Sequence, residues 1–140
     1  MKILFFFCVF LCGSGLVASE DVFIKALIAH ESNGNDRAVG DTHLANRAYG
    51  CLQVRKPCLD DVNRIYRTKY QVKDCIGNRE LSVWICKAYL AIYAKESRLG
   101  RVPTAEDCAR IWNGGPDGWK KESTLGYWEK VKKLLEKKNL

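Results

Sequence analysis

Residues 29–41 read AHESNGNDRAVGD, and the organisation of the chain is best understood outward from this stretch. Apolar side chains over residues 21–32 have helical spacing, and the run NGND at 33–36 consists of turn formers. Glu31 is therefore predicted to lie in the last turn of an apolar helix. Because a helix ends in partial negative charge and burial disfavours an ionised carboxylate, both effects raise the pKa of Glu31. A glutamic acid that stays protonated near neutral pH can serve as a general acid.

Downstream of this stretch the sequence favours helices. Apolar periodicity predicts them over residues 59–70 and 79–99, after Thr104, and from about Leu125. Asn78 is a predicted amino-terminal cap, Gly100 a predicted stop, and Thr104 with Asp107 a predicted capping box. Residues 39–54 form the only irregular stretch long enough to hold a small sheet. We expect one mainly α domain of the α+β kind with that small irregular or β segment.

The amino terminus has the parts of a secretory signal peptide. Lys2 precedes an apolar run over residues 3–11, and small residues follow over 13–19. The run is too short to span a bilayer comfortably, and no later stretch is long and apolar enough to be a transmembrane segment. The alternative is a buried first helix. We expect a signal peptide over residues 1–19 and a secreted, extracellular domain over residues 20–140.

Cysteine usage fits a secreted protein. The chain has seven cysteines, and two of them lie in the predicted signal peptide. The other five are Cys51, Cys58, Cys75, Cys86 and Cys108. In an oxidising compartment they predict two disulfides and one spare thiol, with the pairing open. Because no C-x-x-C occurs and both histidines precede Cys51, we expect no metal site and no cofactor.

Three blocks of the sequence resemble the lysozyme-like superfamily. Residues 29–41, followed by AYGCLQV at 48–54, are similar to the active-site region of goose-type lysozymes and soluble lytic transglycosylases. The blocks CKAYL at 86–90 and ARIWNGGPDG at 109–118, with GYW at 126–128, resemble the invertebrate-type lysozymes most. The blocks occur in family order and cover most of the chain. The resemblance implies a lysozyme-like fold with the segment around 39–54 beside an active-site cleft.

The resemblance also implies an activity. A secreted lysozyme would hydrolyse the β-1,4 glycosidic bonds of bacterial peptidoglycan, in antibacterial defence or in digestion of bacteria. Glu31 would be its proton donor, and Asp41 would be the second carboxylate that glycoside hydrolysis normally needs. Asp36 is the rival for that second place, although NGND reads as turn chemistry. With Asp41 in the site we expect a retaining double displacement.

The cleft would bind sugar rings through aromatic, amide and backbone groups. The resemblance places around it Tyr49, Gly50, Gln53, Asn113, Gly114 and Tyr127. For Trp84, Trp112 and Trp128 the packing interpretation is stronger, and Trp84 is expected in the core.

Positive charge bears on the partner. Lys and Arg number 23 and Asp and Glu 16, a net charge of +7. No basic stripe interleaved with aromatic residues occurs, so nucleic acid is not the expected partner; a secreted basic enzyme would instead be attracted to anionic bacterial surfaces. The lysine-rich helix over residues 130–138 either packs its apolar face on the domain or acts on membranes. We expect a monomer.

Two other functions stay open at this stage. A lytic transglycosylase would cut the same bond without admitting water, and a non-catalytic basic protein would bind glycans or disrupt membranes.

Overall fold

A computed structural model of the chain describes residues 10–11 and 17–137. Most of the predicted signal peptide therefore lies outside the described residues. Strand β1 (Phe10–Leu11) pairs in antiparallel fashion with strand β2 (Val17–Ala18). None of the described helices is long and apolar enough to cross a membrane.

Helices make up most of the described chain. In chain order they are α1 (Glu20–Ser32), α2 (Lys56–Tyr66), α3 (Arg79–Tyr93), α4 (Glu96–Leu99), α5 (Ala105–Gly114) and α6 (Leu125–Lys137). Short 3-10 turns cover Val72–Cys75, Gly118–Lys120 and Glu122–Thr124. Between α1 and α2, strand β3 (Val39–Gly40) pairs with strand β4 (Ala48–Tyr49), and Tyr49 forms a further bridge with Val54. The predicted helical domain with a small sheet within residues 39–54 is confirmed.

The core lies where the helices pack together. Helix α1 packs against α6, α5 packs against α6 and α3, and α2 packs against α3. Fully buried side chains from four of these helices meet there, among them Phe23, Leu27, Ile85, Ile111 and Val131. Burying a side chain of this size stabilises the fold by about 1.5–3 kcal/mol. The packing fixes the end of α1 relative to α5 and α6.

The predicted long helix over residues 79–99 is wrong in one respect. Asn78 caps it as expected, but α3 ends at Tyr93, and Lys95 is extended before α4 begins. The guanidinium of Arg98 donates hydrogen bonds to the Tyr93 carbonyl and to the Asp117 carboxylate, 2.8 Å away. These tertiary contacts turn the chain at a place with no glycine or proline. Gly100, with φ 76°, ends α4 as predicted.

Helix α2 begins and ends earlier than the predicted range of 59–70. Pro57 lies in its first turn, where a missing amide hydrogen costs nothing. Arg67 has φ 56° and donates its amide hydrogen to the carbonyl of Asn63, which ends the helix. The capping box of Thr104 and Asp107 at the start of α5 is confirmed.

Candidate active site

The end of α1 is tied to the small sheet. Asn33 has φ 51° and ψ 34°, and its amide and that of Gly34 donate to helical carbonyls one turn back, so the helix stops directly after Ser32. The hydroxyl of Ser32 donates to the Cys51 carbonyl at 2.8 Å, next to β4. Glu31 is therefore held at the junction of helix and sheet. The predicted position of Glu31 in the last turn of an apolar helix is confirmed.

A cavity of about 260 Å³ opens beside this junction. Its lining brings together Glu31, Asp41, Gln53, Arg55, Pro57, Cys58, Tyr89, Trp112, Asn113 and Gly115. The predicted catalytic pair and two of the predicted sugar-binding residues are thus found in one cavity. They come from α1, from the segment around the small sheet and from α5.

Glu31 is half-buried beside a hydrogen-bond donor. The hydroxyl of Tyr127 donates to Glu31 Oε1 at 2.7 Å, and the ring of His30 packs edge-on against Tyr127 with centroids 4.8 Å apart. Burial raises the pKa of Glu31 above its ordinary value and outweighs the lowering by Tyr127, Arg55 and Trp112. The nearby Asp41 carboxylate raises that pKa further. The carboxyl group keeps its proton to a higher pH than an exposed glutamate would.

The structure brings Asp41, and not its rival Asp36, into the cavity. Asp41 has φ 51°, and its carboxylate forms an ion pair with Arg55 Nη2. Asp36 instead pairs with Arg79, whose Nε lies 2.7 Å from Asp36 Oδ1, and is not part of the cavity lining. The cavity therefore presents two carboxyl groups, one half-buried and one paired with arginine.

The predicted sugar-binding residues occupy different places. Gln53 and Asn113 line the cavity, whereas Tyr49, Gly50 and Gly114 are not in its lining. Tyr127 is buried behind Glu31, to which it donates its hydrogen bond.

Gly50 has a structural reason to be glycine. Its φ is 75°, and a Cβ atom added there would lie 2.6 Å from the Cys75 carbonyl oxygen and 2.8 Å from Ser82 Oγ. The space that a Gly50 side chain would need is filled by Cys75 and Ser82 of the protein interior. Glycine is therefore required here by internal packing and not by the approach of a ligand. The side-chain amide of Gln53 donates through Nε2 to the Gly50 carbonyl at 3.0 Å. The same side chain therefore closes this turn and lines the cavity.

The turn after α5 is held by close backbone packing. A Cβ atom on Gly118 would lie 2.0 Å from the Arg110 carbonyl oxygen, so the chain folds back directly onto α5. The guanidinium of Arg110 donates to Thr124 Oγ1 at 2.9 Å and to the Lys121 carbonyl at 3.0 Å. Within the block at 109–118, Arg110 and Gly118 therefore hold the turn after α5 in place. Trp112, Asn113 and Gly115, at the end of α5, line the cavity.

Sequence reasoning missed six residues of the cavity lining, of which Trp112 and Arg55 matter most for the chemistry. Trp112 was expected to be a packing residue, but it lines the cavity and meets Tyr89 edge-on, with centroids 5.9 Å apart. Arg55 was not singled out at all. Its one local signal is that it lies two residues after Gln53, which lines the same cavity. Trp84, expected in the core, is partly buried at the core's edge between Tyr66 and Tyr70.

The described residues contain no group of three or more His, Cys, Asp or Glu side chains able to hold a metal ion. Among the described cysteines, Cys51, Cys58, Cys75 and Cys86 are free thiols in this structure.

The chain is similar to known proteins in both sequence and fold. No protein-family model matches the chain. A lysozyme from Ostrea edulis is 30% identical over 130 residues, which cover 79% of this chain and 92% of that protein. Lysozyme 1 of Crassostrea virginica is 40% identical over 57 residues, which cover 41% of this chain and only 30% of that protein.

A solved structure shares the fold. The crystal structure of an inhibitor-bound lysozyme from Meretrix lusoria superposes with a TM-score of 0.69 at 25% sequence identity. The match covers 81% of this chain and 88% of that one. With the match to nearly the whole Ostrea edulis protein, these findings show that the chain belongs to the invertebrate-type lysozymes, which are glycoside hydrolases.

Proposed function

We propose that this chain hydrolyses the β-1,4 glycosidic bonds of bacterial peptidoglycan, with Glu31 as general acid. The observation that carries the proposal is a half-buried carboxyl group with a raised pKa, facing a cavity that also holds a second carboxylate. A protonated acid is needed to donate to the leaving oxygen, and desolvation shifts the pKa of Glu31 in the direction that keeps its proton. The lysozymes of Ostrea edulis and Meretrix lusoria support the same substrate class.

The two carboxyl groups suggest the course of the reaction. Glu31 protonates the glycosidic oxygen, and the Asp41 carboxylate attacks the anomeric carbon and forms a covalent glycosyl intermediate. Glu31, now ionised, takes a proton from water, which attacks the same carbon and releases Asp41. Two displacements retain the anomeric configuration and require carboxyl groups about 5–5.5 Å apart. NMR of freshly formed products tests this: an inverted product contradicts the double displacement.

Substitution of the acid tests the activity. The Glu31→Gln variant keeps the shape of the side chain but has no proton to give, so we expect the rate on purified peptidoglycan to fall by roughly 10²–10⁴-fold. Glu129→Gln is the matched control, because Glu129 is exposed on α6 outside the cavity lining. Wild-type activity in Glu31→Gln would contradict the proposal.

Product masses separate hydrolysis from its closest alternative. A hydrolase adds water to the cut bond, whereas a lytic transglycosylase leaves an anhydro end and products lighter by one water. We expect the hydrated masses. The membrane-active alternative is disfavoured because α6 buries Tyr127, Trp128, Val131 and Leu135 against the domain, so its apolar face is not free. Equal bacterial killing by Glu31→Gln and the wild type would revive it.

We propose secretion, with the segment over residues 1–19 as signal peptide, and a role in antibacterial defence or digestion of bacteria. The apolar run and the family support this location. An oxidising compartment would also favour disulfides among the five cysteines. Cys51 and Cys75 both lie beside Ser82, which makes them a candidate pair. Mass spectrometry of the secreted protein, with and without reduction, measures both the new amino terminus and the bridges.

A further inference from the structure

Arg55 lines the cavity together with both carboxyl groups of the candidate site, those of Glu31 and Asp41. It follows the Tyr49–Val54 bridge and directly precedes α2, and its side chain lines the cavity. Arginine carries a permanent charge and a planar set of donors, so it can bind two acceptors in fixed geometry. The hydrogen-bond and ion-pair partners of Arg55 therefore show which groups its guanidinium keeps in place.

The two partners of Arg55 are the two ends of one exposed loop. Nη2 pairs with the Asp41 carboxylate, and Nη1 donates to the Asn46 carbonyl at 2.7 Å. The loop itself, residues 42–47, is exposed throughout, so apolar packing contributes little to its conformation. Asp41 also has φ 51°, a conformation that is uncommon for non-glycine residues although aspartate tolerates it. The guanidinium is the group that spans this loop.

The same guanidinium acts on the half-buried acid. Its positive charge lowers the pKa of Glu31, opposing the raising by burial and by Asp41. One side chain therefore contacts the second carboxylate directly and influences the first through space. Removal of Arg55 would affect both.

We propose that Arg55 is the positioning residue of the reaction: its guanidinium holds the Asp41 carboxylate at the cavity and places a positive charge near Glu31. This inference rests on the proposed function. Arg55 acts through the two carboxyl groups and makes no bond to the reacting atoms. A positive charge at residue 55 is needed for the second effect, and the double grip on Asp41 and Asn46 is needed for the first.

The molecule contains a matched control for this arrangement. Arg79 also binds an aspartate, Asp36, and a backbone carbonyl, that of Gly34 at 2.8 Å. Its side chain is 47% exposed against 42% for Arg55, and its aspartate 37% against 36%. Arg79 is not in the cavity lining. Any loss that comes merely from removing an arginine clamp should therefore appear in Arg79→Gln as well.

The test compares Arg55→Gln, Arg55→Lys and Arg79→Gln on soluble peptidoglycan fragments. We expect Arg55→Gln to lower kcat by roughly 100-fold, the cost of a misplaced reacting group, with KM within about twofold. The alkaline limb of its pH–rate profile moves to higher pH, because Glu31 loses the charge that lowers its pKa. Arg55→Lys keeps that charge, so its limb stays in place, while kcat falls by roughly tenfold because the double grip is lost. Arg79→Gln keeps the wild-type kcat and profile.

Two further measurements make the result decisive. In an Asp41→Asn background, Arg55→Gln should cost no further kcat, because its effect on the rate passes through Asp41. NMR titration of the Glu31 carboxyl group reports the pKa without any activity, and we expect a higher pKa in Arg55→Gln than in the wild type. An unchanged Glu31 titration together with wild-type kcat in Arg55→Gln would overturn the inference. If Glu31→Gln is inactive and Arg55→Gln is fully active, the role of Arg55 is rejected and the proposed function stands. If Glu31→Gln is active, the proposed function itself is rejected.

Discussion

At the scale of single residues, the hydrogen bond from Tyr127 to Glu31 has a consequence that can be measured. The bond favours the ionised carboxylate, so it works against burial and lowers the pKa of Glu31. In Tyr127→Phe the acid loses this donor, its pKa rises, and it stays protonated to higher pH. We expect the alkaline limb of the pH–rate profile to move up, and kcat at the optimum to fall by roughly tenfold, since a hydrogen bond to a charged group is worth about 1.5 kcal/mol.

The control for this change is a second tyrosine that donates to a carboxylate, the partly buried Tyr93. Tyr93 donates to Asp61 Oδ2 at 2.8 Å and lies outside the cavity lining. Tyr93→Phe loses an equivalent hydrogen bond to a carboxylate, so it should leave the pH–rate profile in place. A limb that moves down in Tyr127→Phe would mean that the tyrosine stabilises the protonated acid, contrary to our expectation.

A site residue could be predicted from sequence where its position depends on nearby residues of the chain, and it was missed where its position depends on tertiary contacts. The position of Glu31 in the last turn of a helix could be predicted because the helix and the turn that ends it are local features. Arg55 was missed because its role depends on Asp41 and Asn46, which the small sheet brings to it. Turn chemistry favoured Asp41 over Asp36, and the structure adds that Asp41 lines the cavity whereas Asp36 pairs with Arg79 outside it.

At the scale of elements, the turn after α5 is set by the absence of a side chain. A Cβ atom on Gly118 would clash with the Arg110 carbonyl oxygen at 2.0 Å, and backbone cannot move aside cheaply. We expect Gly118→Ala to lower the free energy of unfolding by about 3 kcal/mol, the upper range for overpacking. Denaturant unfolding measures this directly.

Gly126 provides the comparison within α6. A Cβ atom there meets nothing within 4 Å, and alanine favours a helix by up to about 1 kcal/mol. Gly126→Ala should therefore leave stability unchanged or raise it slightly. Equal losses in the two variants would show that the clash at Gly118 is relieved by a shift of the turn.

Helix boundaries set by local caps were predicted from the sequence, whereas a boundary set by tertiary contacts was not. Asn78 and Thr104 mark helix starts with side chains that cap their own helices, and both were predicted. The end of α3 at Tyr93 was not, because it depends on Arg98 reaching Asp117 after α5.

At the scale of the whole molecule, the net charge of +7 predicts a salt-dependent attraction to bacterial walls. Helix α6 presents Lys130, Lys133 and Lys137 to solvent while its apolar face is buried. We expect the lysis rate of whole bacteria to fall by roughly tenfold between low salt and about 0.5 M salt, where charges are screened over a few Å. The turnover of small soluble peptidoglycan fragments should change little.

A triple variant of these lysines to glutamine separates surface attraction from catalysis. It should weaken the salt dependence on cells and keep the wild-type rate on soluble fragments. The same salt dependence for both substrates would place the effect in the cavity, where Arg55 carries charge, and not on the surface.

The sequence by itself predicted the helical class, the helix caps at Asn78, Gly100 and Thr104, the place of the small sheet and the position of Glu31 at a helix end, because these features depend mainly on residues close along the chain. Tertiary structure alone decided which side chains share the cavity. It brought Asp41 to Arg55, placed Trp112 beside Asn113 in the lining, and set Tyr127 against Glu31 from 96 residues away. The physical reason is that a pKa and an ion pair depend on distance in space and on burial, and both arise only when α1, α5 and α6 pack together.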